Sequence, residues 1–460
     1  MNATVIGSQL GDEGKGAVVD VLGSEADVVV RYQGGDNAGH TVTHRGEEYR
    51  LRLLPSGVVR GKLGVLGNGC AVNFGTLFDE VDRLRERGLD PDVRVSGRAH
   101  VVLPSHRVLD GASESARSDD DLAVGTTGNG MGPAYEDKAG RRGVRIAEVL
   151  RPDALRERLE YTIPRHRELA DAVYGIDPDG ALPDGPAADS DDAADAFDVD
   201  AVFERLRSFG DRLAADDVVV DAGPFLAERQ REGATILFES AQGTQIDLDH
   251  GNYPYVTSSN PTAGGAVVGT GVGPETVADG AVVGVVKAYL SRVGCGPMPT
   301  ELDAEAATVF RERVDGFGTV TERPRRIGWL DLPVLRTATR VNGFSGLAFT
   351  HVDSLGGLDE LRVCTGYELD GERVRQVPMT SAAWRQCTPE YEQLEPWPDC
   401  DWEAVAADGY DALPENARTF VEFVSDDLGV PVVAVGVGPD REATVVRRNP
   451  LADEPLSGAN

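Results

Sequence analysis

Near the amino terminus a short apolar run, Val5-Ile6, meets the segment Gly7-Ser-Gln-Leu-Gly-Asp-Glu-Gly-Lys-Gly16. Ala17, Val18, Val19, Val21 and Leu22 then follow at a spacing that suits a helix. A strand, a glycine-rich turn and a helix in so few residues commit the chain to a βα beginning, and Val28-Val-Val-Arg31 supplies the next strand. The glycines let the backbone fold back and aim N–H groups at an anion, and Lys15 adds a point charge. The loop still departs from the G-x-x-x-x-G-K-[ST] pattern. Gln9 stands where the first glycine belongs, and Gly16 replaces the hydroxyl that would hold magnesium. Asp12, inside the same loop, is an acid able to hold a metal or take a proton. The segment reads as a P-loop-like phosphate loop with chemistry beyond nucleotide hydrolysis.

Further apolar runs at Thr235–Phe238, Val282–Val286, Leu347–Thr350 and Val432–Val435 have the look of buried strands, each leading into a polar or Gly-rich loop. Leu77, Val81 and Leu84 lie at helical spacing before Gly88, a suitable C-cap. Hairpin-like segments are expected around Arg45-Gly46 and Gly64–Gly69. The expectation is a single large α/β domain, residues 1–460, built on a mainly parallel central β-sheet with flanking helices. Ligand-binding loops then collect at the carboxyl ends of the strands. Residues 174–200, rich in Asp, Ala, Gly and Pro, read as a solvated acidic low-complexity insertion within it.

Charge narrows the function classes. Acids outnumber bases 77 to 45, the formal net charge is −32, and the lysines are Lys15, Lys62, Lys138 and Lys287. A nucleic-acid binder needs a basic face, and none is visible. A carboxylate-rich surface that stays hydrated while its self-repulsion is screened suits high salt. No apolar run reaches membrane-spanning length, and the first thirty residues lack a signal-peptide pattern. Cys70, Cys295, Cys364, Cys387 and Cys400 are scattered, as expected of reduced thiols in the cytoplasm.

Other strings carry candidate chemistry. His40, in Asn37-Ala-Gly-His40, is open to two readings: a general acid near neutral pH, or a ring satisfied by backbone groups. Gly125-Thr-Thr-Gly-Asn-Gly-Met-Gly132 and Arg141 suit a second phosphate. Asp247, Asp249 and His250 are either metal ligands or, more simply, loop-orienting turn formers. The arginines of Thr321-Glu-Arg-Pro-Arg-Arg326 suit clamping of a carboxylate or phosphate. Asp353, closing Thr350-His-Val-Asp353, can accept both donors on the edge of guanine, which adenine cannot offer.

In order, G-D-E-G-K-G, R-Y-Q-G-G-x-N-A-G-H-T, G-T-T-G-x-G-x-G-P-A-Y-E-D-K, A-Q-G-T, D-H-G-x-Y-P-Y-V-T-S-S-N and G-W-L-D strongly resemble the adenylosuccinate synthetase family. The resemblance runs from Val5 to about Arg447. It implies a homodimeric enzyme that joins L-aspartate to IMP using GTP and one Mg²⁺ per subunit. The products are adenylosuccinate, GDP and phosphate, formed through 6-phosphoryl-IMP on the route to AMP. By this matching Asp12 would take the N1 proton of IMP and bind Mg²⁺ with the Gly39 carbonyl, His40 would act at O6, and Lys15 would stabilise the transferring phosphoryl group. Asp12, Glu13, Gly14, Lys15, Asn37, Ala38, Gly39, His40, Thr127, Gln242, Thr257 and Arg323 would line the IMP site, with Arg141 reaching the IMP phosphate from the neighbouring subunit. GTP would meet Gly11 to Gly16, Gly39, His40, Thr41, Arg325, His351, Val352, Asp353, Gly436, Val437 and Gly438. Aspartate would meet Thr319, Val320, Thr321 and Arg323.

The chain departs from the family pattern in three places. Glu322-Arg-Pro-Arg-Arg326 replaces Gly-Arg-Arg-Arg-Arg, His351 replaces the lysine of K-x-D, and Gly436-Val-Gly438 replaces Ser-Thr-Gly. Two other readings therefore stand beside an active ligase. One is a regulatory nucleotide-binding protein that has lost turnover; the other is a simple GTPase switch, which Gly16 argues against.

Overall fold

The computed structural model describes residues 1–44, 46–119, 122–180, 195–311, 314 and 325–452. Its centre is an eleven-stranded sheet. Ten of the strands are β1 (Ala3–Gly7), β2 (Val28–Gly34), β3 (Leu63–Val72), β4 (Val93–Ser96), β5 (Val219–Val220), β6 (Ile236–Glu239), β7 (Ala281–Lys287), β8 (Gly346–Thr350), β9 (Val432–Gly436) and β10 (Thr444–Val446). Across the sheet they run β10-β9-β8-β7-β1-β6-β2-β3-β4-β5, and His100–Val101 pairs with the end of β3. Pairing is parallel throughout except at β9–β10. The sheet is therefore mainly parallel, as expected.

Alternation explains why these runs are strands. Val5, Leu237, Val283 and Val285 enter one apolar layer, while Ile6, Ile236, Phe238, Val282 and Val286 enter the layer on the opposite face. A strand buried on both faces has no polar side to show, so it reads as a continuous apolar run. The first strand thus sits in the middle of the sheet, flanked by β6 and β7. Its loop opens where strand order reverses, the position at which ligands bind in open α/β sheets.

A second core lies over the β3–β4 side, where α1 (Phe74–Glu86), α2 (Pro104–Asp119), α3 (Pro152–Ala172) and α4 (Val199–Ala215) pack together. Ile176, Ala196 and Phe197 are buried in it. The two ends of the expected 174–200 insertion are therefore anchored by apolar side chains, and its acidic stretch 181–194 lies outside the described residues. Gly64–Gly69 is no hairpin; it lies within β3. Gly67 and Gly69 leave room for the main chain of Gly269 and Tyr32, which approach the strand directly. The hairpin expected around Gly46 does form, from His40–His44 and Glu47–Leu51, although Arg45 itself lies outside the described residues. No helix among the described residues is long and apolar enough to cross a membrane.

Candidate functional site

The site is assembled from loops at the carboxyl ends of neighbouring strands. The loop after β1 is fastened to two of them, β7 and β8. Ser8 N–H and Oγ donate to the Val285 carbonyl, at 3.1 and 2.6 Å. The Gln9 side chain donates to the Lys287 carbonyl and accepts from the Lys287 N–H, both at 3.0 Å. Thr350 Oγ1 donates to the Glu13 carbonyl at 2.7 Å. Gln9, which departs from the P-loop pattern, is thus the residue that extends the pairing between loop and β7.

The loop amides are not all turned toward solvent. Glu13 is fully buried, and its Oε1 accepts from the N–H groups of Gln9 and Gly11 at 3.0 and 2.9 Å. Its Oε2 accepts from Lys15 Nζ at 2.7 Å. A carboxylate within the loop takes up amides and a lysine that the sequence assigns to a phosphate. Gly7 and Gly243 must lack side chains here, since a Cβ on either would run into that carboxylate. Gly16 lacks one because the backbone around His40 and Thr41 packs against it. The missing magnesium-binding hydroxyl is the result.

Asp12 takes a left-handed φ of 59° and projects into the cleft with a side chain 36% exposed. Arg325 Nε donates to its Oδ2 at 3.0 Å. Desolvation opposes ionisation, but Arg325, Lys287 and Lys15 outweigh it and hold the carboxyl below its ordinary value. An ionised, partly exposed carboxylate is the kind of oxygen donor that Mg²⁺ accepts, together with phosphate oxygens and water.

His40 is 5% exposed, and its Nδ1 pairs with Glu239 Oε1 at the end of β6. Glu239 also accepts from Ser56 N–H and Oγ, each at 2.8 Å. Burial pulls the imidazole below its ordinary value, while Glu239 pulls it back up. Fixing Nδ1 on a carboxylate leaves Nε2 as the ring nitrogen available for other partners. The ring is thus held by the side chains of Glu239 and Ser56, not by the backbone groups that one reading of His40 expected.

Gln242 also has a left-handed backbone, φ 63°. Its Nε2 donates to Asn37 Oδ1 at 3.2 Å, while its Oε1 is buried without a partner. The loop after β2, which runs through Asn37, Ala38 and Gly39 to His40, therefore meets the loop after β6. Asn129 joins the first of these to the Thr127 loop: it donates to Thr127 Oγ1 at 3.2 Å and to the Asp36 carbonyl at 3.4 Å. That Gly-rich loop is braced from behind. Glu114 accepts from the Gly125 N–H at 2.6 Å, and Asp110 accepts from the Gly130 N–H at 2.9 Å. Two amides assigned from sequence to a phosphate thus hold the loop's own shape. Thr257 joins the same region through its N–H, which donates to the Ile246 carbonyl at 2.8 Å.

At the other end, Val352 N–H donates to the Gly436 carbonyl at 3.2 Å, which brings the loops after β8 and β9 together. Val437 is buried behind them, ahead of Gly438. His351 adopts φ 59°, and its ring meets the edge of Tyr289 at 5.9 Å. Burial, aided by Lys287 and Arg325, pushes it down to about 3, so this ring is neutral. Asp353 Oδ1 is buried without a hydrogen-bond partner, and burial raises its carboxyl. An acceptor in that state has a use for donors from a ligand.

Arg141 lies apart from these loops, exposed at φ 60°. The expected aspartate contacts Thr319, Val320, Thr321 and Arg323 lie outside the described residues, as do Glu322 and Pro324. Asp247 accepts from the N–H groups of Asp249 and His250, at 2.9 and 3.0 Å, which supports loop orientation over metal binding. Sequence reasoning gave no role of their own to three contributors: Glu239, Ser56 and Lys287. Lys287 had left one trace, as one of four lysines in an acidic chain.

The comparisons with known proteins agree with this geometry. A sequence model of the adenylosuccinate synthetase family matches residues 4–445. An adenylosuccinate synthetase of Natronomonas pharaonis is 58% identical over 98% of this chain and 100% of its own. One from Haloarcula marismortui is 56% identical with the same coverage. The solved structure of fully ligated adenylosuccinate synthetase from Plasmodium falciparum superposes with a TM-score of 0.85 at 31% identity, covering 97% of this chain and 100% of that one. Fold, site and relatives agree: the chain belongs to the adenylosuccinate synthetase family, and it is a ligase that forms a C–N bond.

Proposed function

We propose that this ligase, which joins IMP to L-aspartate at the expense of GTP, does so with Asp12 as base, His40 as the group acting at the purine oxygen, and 6-phosphoryl-IMP as intermediate. The observation that carries the reading is the pairing of two differently tuned groups on adjoining loops. Asp12 is a carboxylate ringed by cations, and His40 is an imidazole backed by a buried carboxylate.

In this reading Asp12 removes the proton from N1 of IMP, and the resulting charge makes O6 a nucleophile toward the γ-phosphorus of GTP. The bond from that phosphorus to the β,γ-bridging oxygen breaks, and GDP leaves. His40 donates to O6 through Nε2 while Glu239 holds Nδ1. The aspartate amine then attacks C6, and phosphate departs with the oxygen, a far better leaving group than oxide. Lys15 and the loop amides stabilise charge on the transferring phosphoryl group. For this, Lys15 must exchange Glu13 for phosphate. Arg325 must also leave Asp12, which raises the proton affinity of that carboxylate as it is called on to act.

Asp12 and the Gly39 carbonyl would hold Mg²⁺, which when bound supplies charge neutralisation to the nucleotide phosphates. The orphaned Gln242 Oε1 and the nearby Asn37, Thr127 and Thr257 support an IMP site; the orphaned Asp353 Oδ1 supports recognition of guanine. The exposure of Arg141 supports a homodimer in which it reaches the IMP phosphate of the other subunit. Thr319 to Thr321 and Arg323 take aspartate. Five free cysteines and nucleotide substrates suit the cytoplasm.

The test is an omission assay in concentrated KCl. IMP, aspartate, GTP and Mg²⁺ together yield adenylosuccinate, and dropping any one abolishes it. Asp12→Asn lowers the rate by at least about 10³-fold with folding intact. A full-rate Asp12→Asn enzyme sinks the assignment.

A further inference from the structure

Three helices meet at a buried carboxylate that the reaction scheme leaves unused. Asp137, on the helix Met131–Ala139, accepts on Oδ2 from His106 Nε2 of α2 at 3.0 Å and from His166 Nε2 of α3 at 2.9 Å. All three side chains are buried. Two imidazoles and a carboxylate so close together are a possible cation site. The hydrogen bonds argue otherwise. The Leu103 N–H donates to His106 Nδ1 at 3.0 Å, so in the neutral ring the proton sits on Nε2. Burial pushes His106 down to about 4 despite its bond to Asp137, which keeps the ring neutral near pH 7. An Nε2–H aimed at Asp137 has no lone pair for a metal.

The cluster instead holds the turn that follows. Asp137 Oδ1 accepts from Arg142 Nε at 3.0 Å. The Asp137 carbonyl accepts from the N–H groups of Arg142 and Gly143, at 2.8 and 3.2 Å. Thr162 Oγ1 of α3 donates to the Arg142 carbonyl at 2.7 Å. With residues 142 and 143 fastened from both sides, the chain crosses Arg141 in the left-handed region, where only a firm surround keeps a bulky residue. The Arg141 side chain points outward and has no partner among the described residues.

We propose that the His106–Asp137–His166 cluster is a positioning device that presents Arg141 to the IMP phosphate of the neighbouring subunit. This rests on the shared-site reading of Arg141 given above. The cluster acts through Arg141 and touches no substrate.

The experiment uses Asp137→Asn, together with Arg142→Met, which cuts the link to the turn without disturbing the imidazoles. Each variant alone is expected to raise KM for IMP at least about tenfold, with KM for GTP and for aspartate within about twofold. Each is then mixed with inactive Asp12→Asn chains under confirmed subunit exchange. In a mixed dimer the site with native Asp12 receives Arg141 from a chain whose cluster is native, so KM for IMP returns to the wild-type value. An unchanged KM in the folded single variants overturns the inference. So does a KM that stays raised in the mixed dimers. The control mixes Asp12→Asn with Arg141→Leu: no rescue there overturns the shared site itself, whereas rescue there without recovery for Arg142→Met overturns only the role of the cluster. One equivalent of Zn²⁺ retained per wild-type chain on dialysis, and lost in His166→Gln, would overturn the tautomer argument.

Discussion

A carboxylate stands behind His40, while three cations surround Asp12. Each arrangement sets the proton affinity of the group it encloses. Glu239 is the clearest place to test this, because Glu239→Gln keeps the shape and removes the charge. The expected outcome is a kcat lower by about 10²–10³-fold with KM values little changed. The sign of the pH effect follows from the cause. Glu239 raises the affinity of His40 for its proton, so losing it moves the His40 limb of the rate profile to lower pH. An unmoved limb would leave Glu239 a purely structural role. Asp12 and His40 stand out in the sequence because each sits in a Gly-rich string beside a strand end. Glu239 was not, because it lies 199 residues from its partner and ends an apolar run. Glu13 was placed in the loop correctly, but nothing in a linear string says that a side chain folds back onto its own amides.

At the scale of elements, strands buried on both faces were the easiest to recognise. β6, β7, β8 and β9 each coincide with an apolar run because the neighbouring layers leave no exposed face. Gly64–Gly69 misled because glycine serves two ends, permissive torsions and bare surface, and here it serves the second. The helix Ala263–Thr270 packs onto β2 and β3 through such bare surface, with Gly269 against the Tyr32 carbonyl. Gly269→Ala is therefore expected to cost about 1–3 kcal/mol as an overpacked contact. Denaturant midpoints in concentrated KCl check this; an unchanged midpoint would show that the helix can slide. The second core was less legible than the sheet. Its helices mix polar and apolar residues, and Ile176 and Phe197 sit inside a stretch whose composition is dominated by Asp and Ala.

Over the whole molecule, among the groups that burial shifts furthest, three imidazoles outweigh one acid in their response to pH. His100 and His106 are pushed to about 4 and His351 to about 3, in each case chiefly by burial. Each takes up a proton on unfolding once the pH drops below the unfolded value of about 6.5. Asp331, pushed up to about 7 by burial, works the other way by holding a proton when folded. Between about pH 5 and 6.5 the three rings prevail, so stability falls as the medium is acidified. Urea midpoints across that window in constant KCl should decline. A flat or rising profile would mean that these rings keep their charge when folded.

The position of β1 has a consequence for synthesis. Ala3 pairs with Leu237 on one side and Ala281 on the other, so β1 leaves the ribosome long before either of its neighbours. At about 5–20 residues per second, it waits tens of seconds with both faces uncovered. The loop bearing Asp12 cannot take its final form until Lys287 and Thr350 have been made, because Gln9 and Glu13 are anchored there. A nascent chain can build its second core early, yet its site is assembled only once the loops after β8 and β9 have followed.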